Sequence, residues 1–169
     1  MPNIAQTQIL SAIASLVDIV DDTGLILTRE RFIDLSDNSE EAFIKLFTNL
    51  NNKIPKGWLV SYSGFEQRRG DRQCEVVCTF KYALECVYPY QDKVDASNDS
   101  HKKFRLMVEA VRQKFNEAAN WNLGLDTRVE HQLLQATEDF VVRRWGKTAG
   151  AFITHYAPFE LAVEVSESY

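Results

Sequence analysis

Between residues 73 and 88, apolar and aromatic side chains fall on every second position: Cys74, Val76, Cys78, Phe80, Tyr82, Leu84, Cys86 and Tyr88. The intervening Gln73, Glu75, Val77, Thr79, Lys81, Ala83, Glu85 and Val87 are mostly polar. A period of two predicts a strand with one face buried and the other wet or pressed on a neighbour. At roughly 3.3 Å per residue this strand reaches about 50 Å, well beyond the usual globular strand, and it needs a long partner.

Residues 58–68 supply that partner, as a hairpin with residues 72–88. A two-residue loop, Gly70 and Asp71, sets Ser61 and Ser63 against Phe80 and Cys78 on the buried face. A three-residue loop over 69–71 instead sets Trp58 against Tyr82, Val60 against Phe80 and Tyr62 against Cys78. Apolar pairing therefore predicts an odd-length loop, with Arg68, Arg69 and Arg72 at its tip.

Helical spacing appears three times. Ile9, Leu10, Ile13, Leu16, Val17 and Val20 predict a helix over 4–20, ended by Asp21, Asp22, Thr23 and Gly24. A short extended run, Leu25 to Leu27, follows. A second helix starts at Asp37, Asn38 and Ser39, with Glu40 and Glu41 in its first turn and Phe43, Leu46, Phe47 and Leu50 as its stripe. After a loop over 88–98, Ser97 or Asp99 caps a third helix with Phe104, Met107, Val108, Val111 and Phe115 along one side. Residues 128–145 read as extended without a clear period, and 146–150 as a turn. A last strand then places Ile153, His155, Ala157, Phe159, Leu161, Val163 and Val165 on one face, and Thr154, Tyr156, Glu160 and Glu164 on the other.

This order predicts one α+β domain over 1–169: an antiparallel or mixed sheet with a long β-hairpin and helices packed on one face. The opposite face, with Val77, Ala83 and Val87 among charges, suits partial cover by a neighbouring subunit.

Composition narrows the function classes. A chain of 169 residues buries about 70% of its unfolded surface without staples, and 45% hydrophobic with 25% charged residues is ordinary globular content. No apolar run approaches ~18 residues, and no basic segment precedes an apolar stretch near the N-terminus. A membrane span and a secretion signal are therefore not expected, and the chain is expected in the cytoplasm. A net charge of −5 argues against a nucleic-acid binder. Cys74, Cys78 and Cys86 share one strand face, too far apart to bridge, and read as small core residues.

Other motifs have plainer readings. Arg69, Gly70 and Asp71 spell a receptor-binding tripeptide, but glycine beside aspartate also makes a hairpin turn. Gly146, Lys147 and Thr148 resemble the end of a phosphate loop, yet Val141 stands where that loop needs glycine. His101, His131 and His155 have no metal-ligand spacing, and a Cys78–His155 pair on an apolar face leaves the thiol protonated. Neither a cofactor nor a catalytic residue is expected. Arg143, Arg144 and Trp145 have the composition of a contact hot spot, alternatively of an exposed hairpin end with one aromatic folded back.

The elements in order resemble the tail terminator, or tail completion, proteins of long-tailed bacteriophages, including the lambda-like ones. The likeness rests on the first helix, then RERFID at 29–34, FIKLF at 43–47 and GWLVS at 57–61. It continues through Asp95, Ala96 and Ser97, then Phe104 and MVEAV at 107–111, and ends with His155, Tyr156 and Ala157 before Leu161, Val163 and Val165. The resemblance implies a structural virion protein and not an enzyme: a ring of six on the head-proximal end of the tail tube, which stops tube growth and offers the head a docking surface. It implies as partners other copies of the chain, the tail tube protein and a head-side neck or stopper protein. DNA passes without sequence-specific binding, and no membrane is involved. The virion tail or neck, and the host cytoplasm during assembly, are the implied locations. The candidate contact residues are Arg68, Arg69, Asp71 and Arg72 at the hairpin tip, with Arg143, Arg144 and Trp145. The alternatives are another neck component, such as a stopper or connector, and a small-ligand-binding α+β domain or enzyme with an apolar pocket between helices and sheet.

Overall fold

In a computed structural model, describing residues 4–29, 39–51, 53–72, 74–91, 99–146 and 152–168, two long strands form the spine. β3 (Glu75–Pro89) and β7 (Phe152–Ser168) run antiparallel, from Glu75 opposite Ser168 to Pro89 opposite Thr154. β2 (Gly57–Arg69) lies on the far side of β3, and β1 (Leu25–Arg29) pairs parallel with its first half. Three short strands, β4 (Val129–His131), β5 (Gln135–Ala136) and β6 (Val141–Trp145), follow one another along the other edge of β7. The result is a mixed seven-stranded sheet with three helices, an α+β fold.

The alternation in β3 sorts the two faces as its period requires. Tyr82, Leu84, Cys86 and Tyr88 are buried with Trp58, Val60, Ala157, Phe159, Leu161, Val163 and Val165. α1 (Gln6–Asp18) and α3 (Asp99–Asn116) cover this face with Ile9, Leu10, Ile13, Leu16 and Val17, and with Phe104, Met107, Val108, Val111 and Phe115. Burial pushes the Cys86 thiol well above its ordinary value, as expected of a core cysteine. Cys78 is also buried, whereas Cys74 is exposed in the hairpin turn with φ of 67°, outside the strand. That turn conformation ends the alternation before Cys74 reaches the core.

The helices do not all lie on one side. α2 (Ser39–Leu50) covers the opposite face, where Phe43, Ile44 and Phe47 meet Leu59, Val87, Trp145 and Tyr156. The mixed character of that face explains the placement, since Leu59, Val87 and Tyr156 give it an apolar end of its own. Gly57 permits the close approach: a Cβ there would stand 2.2 Å from the Leu25 carbonyl oxygen and 2.8 Å from the Phe47 ring. The expected cap residues Asp37, Asn38 and Ser97, and residues 147–150 of the expected turn, lie outside the described residues.

The hairpin register differs from the sequence expectation by four positions. Trp58 faces Cys86, Val60 faces Leu84 and Tyr62 faces Tyr82, with residues 70–74 between the strands. The expected odd-length loop is not what forms: Arg69 pairs with Val76 and Gly70 N–H donates to the Glu75 carbonyl at 3.0 Å, which leaves four residues, 71–74, in the turn. A slip of four leaves every side chain on its original face, so alternation cannot distinguish the two registers. A β-bulge between Tyr62 and Gly64 then shifts the phase, so that Phe65 joins Phe80 and Gln67 joins Cys78.

Residues 129–145 form one edge strand interrupted twice, and Pro158 explains the second interruption. Thr137 N–H donates to the Pro158 carbonyl at 3.1 Å, so the proline nitrogen also faces this edge. It has no hydrogen to give. Ala136 opposes Phe159 and Val141 opposes Tyr156, leaving residues 137–140 bulged outward over two positions of β7.

Candidate functional site

Beyond Ser61, where β1 ends, β2, β3 and β7 continue as an arm, with β4 paired along β7 from Val163 to Val165. Among the described residues, no strand pairs the outer edge of β2 there. Its backbone donors and acceptors form a template for another strand. On one face, Tyr62, Phe65, Phe80 and Tyr82 make a run of ring contacts at 5.8–6.4 Å. Tyr82 is held in the core by donating to the Gln6 carbonyl at 3.1 Å, whereas Phe65, farther out, is 57% exposed. The opposite face carries the Lys81–Glu66 ion pair at 2.5 Å and Arg68 with Glu164 at 3.5 Å. Both are surface pairs of small energetic weight.

The hairpin tip brings together four sequence-predicted contact residues. Arg68, Arg69, Asp71 and Arg72 are all exposed, and the turn is tied down by Glu75, whose carboxylate accepts from Arg72 N–H at 3.3 Å. The backbone is fixed while the guanidinium groups stay in water.

Arg143, Arg144 and Trp145 divide among different roles. Trp145 is buried, stacks on Phe43 at 5.0 Å and donates its Nε1 hydrogen to Thr154 Oγ1 at 2.7 Å. It is the aromatic folded back on the sheet. Arg143 lies over the Trp145 and Tyr156 rings at 5.1 and 4.8 Å, while Arg144 is exposed. The free surface at this edge instead comes from Phe140, Val141, Val142 and Ile153, all exposed apolar residues, beside the bulge bearing Glu138 and Asp139.

Beneath Arg143 sits Glu85, which accepts from the Tyr156 hydroxyl at 2.5 Å while its second oxygen is buried without a partner. Burial raises its carboxyl pKa, with the Tyr156 hydrogen bond, Arg143 and Arg29 opposing that shift only in part. A folded value above the unfolded one means that the stabilising contribution is present below the unfolded value and lost as pH rises through the folded one. Glu85→Gln, which keeps an acceptor for Tyr156, is expected to be more thermally stable than wild type at pH 7.5. The gain should disappear below pH 4, a comparison made by melting both proteins across that range.

His155 is buried, with Nε2 at 2.9 Å from Ser100 Oγ, and Gln91 N–H donates to the same hydroxyl at 3.1 Å. The imidazole stacks on Phe104 at 5.1 Å. No sequence spacing announces this serine contact. Cys78 faces Val165 and His155 faces Tyr88, about 33 Å apart along β7, so these two do not pair. Among the described residues, no group of three or more His, Cys, Asp or Glu side chains converges as a metal site, and no helix is long and apolar enough to cross a membrane. A recess of about 520 Å³ opens between Ile19 on the α1 side and Leu106 on α3, on the outer side of the helices and not between helices and sheet.

Sequence periodicity missed Phe65 and the bulge at 138–140. The Ser63–Gly64 step and Pro158 are the available signals, and each acts only through the strand it pairs with. The molecule is thus an α+β domain with exposed apolar and charged residues along two sheet edges, and with Ile19 and Leu106 exposed on its helix side. No family model matches the chain, and no curated protein matches it either.

Proposed function

We propose that this chain is a structural subunit of a bacteriophage tail, a terminator that closes into a ring of six at the head-proximal end of the tail tube and does not act as an enzyme. The observation that carries the reading is the pair of unlike edges left unpaired among the described residues, the outer half of β2 and the length of β6. Unlike edges on one molecule favour heterologous contacts, which close into rings when the rotation between copies allows. The aromatic and arginine residues of the arm add the composition of a contact surface. The sequence likeness to tail terminators supplies the particular assembly: tube end on one side, a neck or stopper protein on the other, DNA passing through the middle.

Charge supports this assignment. A subunit of net charge −5, repeated round a channel, repels DNA and limits sticking as the genome passes. The same likeness supports a location in the virion neck after assembly in the host cytoplasm. The test is to add the purified chain to its cognate tail tube protein during polymerisation and image the tubes. Rings at one tube end and arrested growth are expected; uncapped tubes of unchanged length contradict the proposal.

A further inference from the structure

We infer that the outer edge of β2 in one copy pairs antiparallel with β6 of a second copy, joining the two sheets into one; this rests on the ring reading above and specifies its interface. Strand direction is the first support. β2 is antiparallel to β3, β3 to β7 and β7 to β6, so β2 and β6 run in opposite directions. Two copies set side by side in the same orientation therefore present antiparallel edges, the arrangement cyclic symmetry requires.

Side-chain faces then restrict the register. Phe65 points to the α1 and α3 face through its pairing with Phe80, and Val142 points to the same face through His155. Phe65 is 57% and Val142 52% exposed, and setting them opposite each other buries both. Residues 137–140 span only two positions of β7, so the same alignment sets Arg68 and Arg69 beside the bulge that carries Glu138 and Asp139. The basic end of the arm thus meets the acidic bulge of its neighbour. Glu138, Asp139 and Phe140 line a recess of about 450 Å³ together with His101, Arg105 and Ala136. Two carboxylates beside an aromatic ring suit a guanidinium, and Arg105 at the rim neutralises only part of their charge.

β1 blocks the inner half of the β2 edge, pairing as far as Arg29 opposite Ser61, so the incoming strand has only the outer half to join. Within one copy Val141 is level with Gly57, through Tyr156 and Val87; across the interface it becomes level with Glu66. Successive sheets are therefore offset along the strands by about 30 Å, and the strands run oblique to the ring axis.

The test uses the full chain in a Cys74→Ser background, which removes the exposed thiol. Phe65→Cys is mixed with Val142→Cys under mild oxidation, since facing residues in antiparallel strands lie within disulfide reach. A disulfide between the two variants, and little between like variants, is expected. In parallel, Arg69→Glu and the double change Glu138→Arg with Asp139→Arg are each expected to weaken association about tenfold, and their combination on one chain to restore most of it. Association that persists without the mixed disulfide and without charge rescue overturns the interface and leaves the ring intact. A chain that neither associates nor cross-links at any concentration, with tail tubes present or absent, overturns both.

Discussion

Trp58→Ala is expected to remove about 3–5 kcal/mol of stability, a large share of the total for a domain of this size. Trp58 is fully buried, faces Cys86 across the hairpin and stacks against Phe159 of β7 with ring centres 5.8 Å apart. It thereby ties β2, β3 and β7 together at the root of the arm, beneath α1 and α3. Its truncation leaves a void between strands whose backbones are fixed by their ladders, so the cavity cannot collapse. The indole Nε1 is buried without a hydrogen-bond partner, so part of the packing gain is already offset in the wild type. Trp58→Phe removes that polar group while keeping an aromatic ring, and should cost less than about 1.5 kcal/mol. Urea titration of the three proteins measures both numbers. A Trp58→Ala loss under about 1 kcal/mol would show that the hairpin root is not the centre of the core.

The second large effect concerns assembly. The double reversal Arg69→Glu with Arg72→Glu is expected to abolish ring formation while leaving the melting temperature of the isolated chain within a degree or two. Both side chains are exposed, and no ion pair engages either among the described residues. Surface charges of this kind contribute little to folding, within about 0.5 kcal/mol each. Opposed to carboxylates in a neighbour, the reversed charges become repulsive, which costs far more than the loss of one attraction. Light scattering reports the association and calorimetry the fold. Intact rings from the reversed protein would remove the hairpin tip from the interface.

How much of this was legible in the sequence depends on how local each cause is. The even positions from Tyr82 to Tyr88 and the stripe from Phe104 to Phe115 are set by period alone, and the structure buries them. The register of the hairpin is not, because a slip of four positions preserves every face, and the decision falls to the turn at Gly70 and Glu75. Phe65 sits on the core-side face only because of the bulge at Tyr62 and Gly64. The run from 129 to 145 has no period of its own, since its course follows β7 and breaks where Pro158 offers no donor. α2 lies opposite the other helices because Leu59, Val87 and Tyr156, far apart in sequence, form an apolar patch once the strands align. The arginines were visible as a cluster; Glu138 and Asp139, which face them across the inferred interface, belong to a second molecule and left no pairing signal within one chain.

The most direct test of the ring is the mass of the native chain, measured by sedimentation over a wide concentration range, alone and with tail tubes. The account predicts a species of six times 19.4 kDa, in free solution or on the tube ends. A particle that remains at 19.4 kDa at high concentration and ignores the tubes would contradict it.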